Sequence, residues 1–193
     1  MEINRLVIAS NRLPIVISRD DGGMSIKPGS GGLVTAVSPV LSDKGGLWIG
    51  WCGAADVENA EELIASEAVD VGYDLKCINL SRDELERYYY GFSNEVLWPL
   101  FHDLPSRCNF DPAYWPMYVD VNRKFAEAIA SETDETDYVW VQDYQLILVA
   151  MHLKNMGVNR SIGFFLHIPF PPLDMFLKLP WRERILEGLL AYD

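Results

Sequence analysis

Short apolar runs recur along the chain, rich in aromatic or β-branched residues and closed by polar or turn-forming steps, the pattern of buried strands. Arg5-Leu-Val-Ile-Ala-Ser10 opens the protein and stops at the turn-prone Asn11-Arg12-Leu13-Pro14. Leu47-Trp-Ile-Gly-Trp51 and Leu75-Lys-Cys-Ile-Asn-Leu80 follow, and then Tyr138-Val-Trp-Val-Gln-Asp143, which ends in a single carboxylate. The most pronounced run is Gly163-Phe-Phe-Leu-His-Ile-Pro-Phe-Pro-Pro172. It lacks polar alternation and reads as a strand buried on both faces, with His167 where that strand leaves the sheet.

Between these runs the apolar spacing changes to the helical period. Leu33 to Leu41 reads as a helix whose first turn follows Gly29-Ser30-Gly31-Gly32, and the stretch before it holds a hairpin turn at Asp21-Gly22-Gly23. Ser81-Arg-Asp-Glu84 fits a capping box that starts a helix running to about Tyr89. Asn94–Phe101, Trp115–Ser131, Tyr144–Met156 with Gly157 as its closing glycine, and Leu173–Leu190 read as further helices. Alternation of apolar strands with helices predicts an α/β fold: a Rossmann-like, doubly wound, mainly parallel sheet with helices on both faces. Such sheets hold ligands outside the carboxyl ends of their strands, where Asp143 and His167 fall.

Composition narrows the picture. With 193 residues and 49% hydrophobic content, the chain is expected to form one domain over 1–193 around one core. A net charge of −12 argues against nucleic acid and anionic membranes as partners, so any phosphate must be held by local groups. Cys52, Cys77 and Cys108 are odd in number and lack a CxxC spacing, which predicts ordinary buried thiols in a reducing, cytoplasmic protein without a zinc site. No segment has the length of a membrane span or the pattern of a signal peptide. The sequence stops at Ala191-Tyr192-Asp193, after a helix and where another strand is due, so the chain reads as cut.

Four groups of residues can carry chemistry. Gly29-Ser-Gly31-Gly32 opens a helix, and side-chain-free amides at a helix N-terminus suit a diphosphate. The spacing approximates a dinucleotide fingerprint, but Val34 takes the third glycine position, which disfavours a nicotinamide dehydrogenase; a simple capped loop is the alternative. Arg12, at a strand exit, is a fork-shaped donor suited to a sugar phosphate or, equally, to pairing with one of the 28 carboxylates. Trp48, Trp51, Tyr88, Tyr89, Tyr90 and Trp98 form an aromatic set compatible with sugar faces or with core packing. Asp143 and His167 are the strand-end pair, while His102 and His152 fall within helical patterns and read as structural. No Asp-x-Asp pair stands at a strand end, so neither a metal nor a cofactor is expected.

Several motifs, in order from one end of the chain to the other, carry a resemblance: Ser10-Asn-Arg12, Gly31-Gly-Leu33, Gly46-Leu-Trp-Ile-Gly-Trp51, Tyr89-Tyr-Gly-Phe-Ser-Asn-Glu-Val-Leu-Trp-Pro99, Trp140-Val-Gln-Asp-Tyr144 and Gly163-Phe-Phe-Leu-His-Ile-Pro-Phe-Pro171. Together they resemble the trehalose-6-phosphate synthases, retaining glycosyltransferases of the two-domain GT-B architecture. The resemblance implies transfer of glucose from UDP-glucose to glucose 6-phosphate, with this chain as the N-terminal, acceptor-side domain. It further implies that Arg12, Tyr89, Trp98 and Trp51 hold the acceptor, Asp143 binds sugar hydroxyls, Gly31 and Gly32 meet the donor diphosphate, and His167 touches the donor glucose. The donor-binding C-terminal domain would then be the missing partner, the chain alone would be inactive, and its exposed cleft wall would favour homo-oligomers.

Two features depart from the family pattern: His-Asp-Tyr-His is replaced by Gln142-Asp-Tyr-Gln145, and the second domain is absent. Two other readings stay open, a glucosylglycerol-phosphate synthase that uses glycerol 3-phosphate and a non-catalytic sugar-phosphate-binding module.

Overall fold

A computed structural model of the chain describes residues 5–20, 23–56, 60–66 and 72–193. The first strand, β1 (Leu6–Arg12), leads into an antiparallel hairpin, β2 (Ile15–Asp20) and β3 (Gly23–Pro28), whose turn residues Asp21 and Gly22 lie outside the described residues. Then come α1 (Gly32–Lys44), β4 (Leu47–Trp51), α2 (Ala60–Ser66) and β5 (Asp74–Ile78). A long helical run holds α3 (Arg82–Glu84), the wide turns Leu85–Leu97 and α4 (Trp98–Phe101). The chain continues through α5 (Tyr114–Glu132), β6 (Tyr138–Gln142), α6 (Val149–Asn155), β7 (Ser161–Phe165), α7 (Leu173–Phe176) and α8 (Arg182–Leu189).

The main sheet has the order β5-β4-β1-β6-β7, and every neighbouring pair is parallel. The chain steps outward from β1 to β4 and β5, then returns to the other side of β1 for β6 and β7. Right-handed crossovers put the connections of these two halves on opposite faces, which is the doubly wound α/β arrangement. Order reverses between β1 and β6, and their carboxyl ends open the crevice in which such folds take ligands. The middle of the sheet is dry: Val7, Ile8, Ala9, Trp48, Ile49, Val139 and Val141 are fully buried, as the unbroken apolar runs require. None of the described helices is long and apolar enough to cross a membrane.

Several elements differ from the sequence reading. β7 ends at Phe165, two residues before His167, and lies at the sheet edge; Phe165 is 49% exposed, so the strand is not covered on both faces. Residues 82–101 form one helical run instead of two helices. Its middle is π-helical, with the Trp98 N–H reaching back to Ser93 O, and the wider turn puts Tyr88, Phe92, Val96 and Leu97 on one buried face. At the run's start the capping box is present: Glu84 N donates to Ser81 Oγ at 3.3 Å and Ser81 N to Glu84 Oε2 at 2.8 Å. Leu173–Leu190 is broken into α7 and α8 around Pro180, which has no N–H to give a continuing helix. The α2 helix was not read from the sequence.

Other expectations are met. The helix α6 closes at Gly157, whose φ of 73° is left-handed; Gly157 N donates to Lys154 O and Val158 N to Leu153 O, a Schellman motif. All three cysteines are thiols outside any disulfide, with Cys52 and Cys77 buried and Cys108 half-buried. Cys52 departs from an ordinary thiol: a hydrogen bond with the Cys77 side chain is the main cause that lowers its pKa to about 7.

Candidate active-site cleft

A cleft of about 300 Å³ opens at the carboxyl ends of β1 and β6, and its walls include Arg12, Gly31, Gly32, Gln142, Asp143 and Gln145. Arg12 enters it because β1 carries an irregularity. Ala9 pairs with Ile49 but Arg12 with Trp51, so three steps on β1 oppose two on β4. Gly50 makes room for this extra residue: a Cβ there would stand 2.8 Å from the Arg12 carbonyl carbon and from Leu13 N. The exposed Arg12 guanidinium then lies over two rings, 4.9 Å from Trp51 and 5.4 Å from Tyr89. Among the described residues no ion pair involves Arg12, so a protein carboxylate does not take its charge.

Trp51 is 2% exposed and anchored by its Nε1–H to Ala54 O at 2.8 Å. It therefore reaches the cleft as a platform under Arg12, not as an open ring face. Polar support is buried nearby: Tyr88 Oη donates to Asn11 Oδ1 at 3.0 Å, and Trp48 Nε1 to Ser10 Oγ at 2.8 Å. Trp98 stands apart from this group, 38% exposed and stacked on His102 at 4.1 Å. Tyr89 is the member of the π-helical run that joins Arg12 and Trp51.

On the opposite wall, Gly31 is the N-cap of α1 with φ 146° and ψ 162°, and no side chain caps that end. Beyond the adjoining residues and the helix's own backbone, no atom of the described residues lies within 4 Å of where a Cβ would sit on Gly31 or Gly32, so a ligand can approach the backbone closely. The first-turn amides of a helix of 13 residues face the cleft with no acidic residue among them, an arrangement that favours an anion.

Asp143 follows β6 with φ 73° and ψ 169°, a region populated almost only by glycine. Its N–H donates to Phe165 O at 2.7 Å, and its Oδ1 accepts from Tyr144 N at 2.9 Å and His167 N at 3.2 Å. These bonds tie the end of β6 to the segment after β7. Burial is the main cause that pushes the Asp143 carboxyl above the usual carboxylate range, against the lowering effect of those two N–H donors. His167 meets Gln142 Oε1 through Nε2 at 2.9 Å and lies 4.7 Å from the Phe165 ring.

The two strand ends thus bring Asp143 and His167 together, and Arg12, Gly31 and Gly32 share the cleft with Asp143. Sequence reading missed the irregularity in β1 and the contact of Gln142 with His167. A buried amide at a strand end was the only local signal for the second. Among the described residues, no group of three or more His, Cys, Asp or Glu is placed to hold a metal ion.

An open, parallel α/β sheet whose switch-point cleft combines a bare helix N-terminus, an aromatic-stacked arginine and a carboxylate is a Rossmann-like domain. Residues 4–193 match glycosyltransferase family 20, and the chain belongs to that family. It is 49% identical over 188 residues to a trehalose-6-phosphate synthase of Mycobacterium sp. strain KMS and 47% identical to that of Mycolicibacterium smegmatis. These alignments cover 97% of this chain but 37% and 36% of the relatives, so the chain spans little more than a third of their length. A Burkholderia xenovorans α,α-trehalose-phosphate synthase (UDP-forming), solved in complex with glucose-6-phosphate, superposes with a TM-score of 0.79 at 34% identity, over 98% of this chain and 40% of its own. An E. coli structure bound with UDP-2-fluoro glucose gives the same TM-score and identity over 98% and 39%.

Proposed function

We propose that this chain is the acceptor-side part of a retaining glucosyltransferase that forms trehalose 6-phosphate from UDP-glucose and glucose 6-phosphate. The observation that carries this reading is the cleft itself: an arginine with no carboxylate partner among the described residues and a bare helix N-terminus face one space beside Asp143. Two separate anion sites suit two phosphorylated substrates. Arg12, with Tyr89 beside it, takes the acceptor phosphate, and Asp143 accepts from sugar hydroxyls; Trp98, which stands apart from Arg12, reaches the acceptor only from outside the cleft lining. Gly31 and Gly32 offer amides to the donor diphosphate, and His167 contacts the donor sugar.

In the reaction, the anomeric hydroxyl of glucose 6-phosphate attacks C1 of the donor glucose from the face the leaving group departs. The C1–O bond to the UDP phosphate breaks, and the acceptor proton passes to the departing phosphate oxygen. No protein nucleophile is required. Neighbouring charges that neutralise the diphosphate are supplied by a second domain, so the chain alone does not turn over. The reduced cysteines fit a reducing, cytoplasmic setting.

Calorimetric titration of the chain with glucose 6-phosphate, glycerol 3-phosphate and glucose tests the reading, with Arg12→Ala as control. Saturable binding of glucose 6-phosphate that disappears in Arg12→Ala supports it. Preference for glycerol 3-phosphate would reassign the acceptor, and sugar transfer by the purified chain would refute the need for a second domain.

A further inference from the structure

Gln142 ends β6 and is 1% exposed, yet its amide has both a donor and an acceptor to satisfy. Its Oε1 lies 2.9 Å from His167 Nε2, and its Nε2 donates to Trp140 O at 3.4 Å. These neighbours fix which way the amide points. Flipped, it would set Oε1 against the Trp140 carbonyl oxygen, a repulsive contact, and aim an N–H at the histidine. With Oε1 toward His167, the ring nitrogen it meets is the one that bears hydrogen. Phe165 packs on the imidazole and Asp143 Oδ1 accepts from the His167 backbone, but neither contact distinguishes the two ring nitrogens.

We propose that Gln142 is a positioning residue that commits His167 to the Nε2–H tautomer, leaving Nδ1 as the ring atom with the lone pair. The proposal rests on the reading of His167 as a sugar-contacting group and deepens it. The neutral ring then accepts a hydrogen bond from a ligand hydroxyl at Nδ1 and has no N–H left to donate to a ligand oxygen. A histidine at 142, as in the pattern His-Asp-Tyr-His, offers a ring nitrogen that can donate or accept and so leaves the tautomer of its neighbour undetermined. A glutamine whose own amide is anchored to a carbonyl removes that freedom.

The test is a long-range proton–nitrogen NMR spectrum of the uniformly ¹⁵N-labelled chain, without any sugar ligand, at a pH where imidazole is neutral. Signals of His167 are picked out from those of His102 and His152 by their loss in His167→Ala. The expected result is the Nε2–H pattern for His167, with a ring proton protected from solvent exchange. Gln142→Glu, which keeps an acceptor oxygen, retains that proton; Gln142→Leu loses it and gives an averaged pattern. An Nδ1–H pattern in the unmodified chain, or a protected Nε2 proton that persists in Gln142→Leu, overturns the proposal. If Gln142→Leu does not fold, the unmodified spectrum still decides between the tautomers. Because no ligand is present, failure of glucose 6-phosphate binding leaves this result standing, and a wrong tautomer leaves the Arg12 binding test standing.

Discussion

Replacing Asp143 by glycine and by alanine separates the backbone strain at this position from the work of its carboxylate. Both variants lose the Oδ1 acceptor that takes the N–H groups of Tyr144 and His167. Alanine keeps a Cβ at φ 73° and ψ 169°, whereas glycine occupies that region freely. Strain of this kind is worth about 1–3 kcal/mol, and glycine's extra freedom in the unfolded chain offsets about 0.5–1 kcal/mol of it. At the middle of these ranges Asp143→Gly should be more stable than Asp143→Ala by about 1 kcal/mol, with about 2.5 kcal/mol as the upper bound. In a chain of this length about 1 kcal/mol is a difference of about 2–4 °C in Tm. Urea unfolding followed by tryptophan fluorescence measures it, and calorimetry with glucose 6-phosphate should find both variants impaired. If the glycine variant is no more stable than the alanine variant, the strain does not exist and the backbone geometry has another cause.

Asp143→Asn isolates the charge. Burial raises the Asp143 carboxyl above its ordinary 3.8, so the protonated form favours the folded state. That contribution is complete below 3.8 and is lost as pH rises through the folded-state value. The stability of Asp143→Asn relative to the native chain should accordingly grow from acid to neutral pH and then level off; a gap that is flat with pH would contradict the burial effect. Gly50→Ala should cost about 1–3 kcal/mol in denaturant melts and weaken glucose 6-phosphate binding together, because the new methyl displaces the backbone that aims Arg12. Unchanged affinity in a destabilised Gly50→Ala would separate the sheet irregularity from the site. Leu173, Leu177, Leu190 and Phe170 are each more than half exposed, and light scattering should find mass increasing with concentration; a strictly monomeric mass at high concentration would refute self-association.

Where one local rule acted alone, the sequence could be read to the residue. Leu47–Trp51 is a strand with those bounds because it is buried throughout, and the Ser81 box and Gly157 cap depend only on neighbours a turn away. The winding of Leu85–Leu97 was not legible. Its Gly91 packs against the Tyr114 ring, where a Cβ would come within 2.7 Å, a contact made with a distant helix. The apolar run continues past the end of β7, and such a run carries no mark of being an edge, where one neighbour is missing and Phe165 can face outward. The strand-end positions of Asp143 and His167 followed from the doubly wound order. The union of Arg12 with Trp51 and Tyr89 did not, since it depends on register between strands and on a third element.

The Arg12 platform also changes the entropy of recognition. A long side chain that is frozen only when its ligand arrives surrenders about 0.5–1.5 kcal/mol of rotational freedom at that moment. Here the guanidinium rests on Trp51 and Tyr89 of the chain itself, so most of that ordering accompanies folding of the chain. Under the proposed reading, affinity for a small phosphate is thereby linked to one surplus residue in β1. On that same reading, sequence drift along the β1–β4 seam, where Ala9 and Ile49 are buried, would loosen the grip on the anion and the stability of the sheet together.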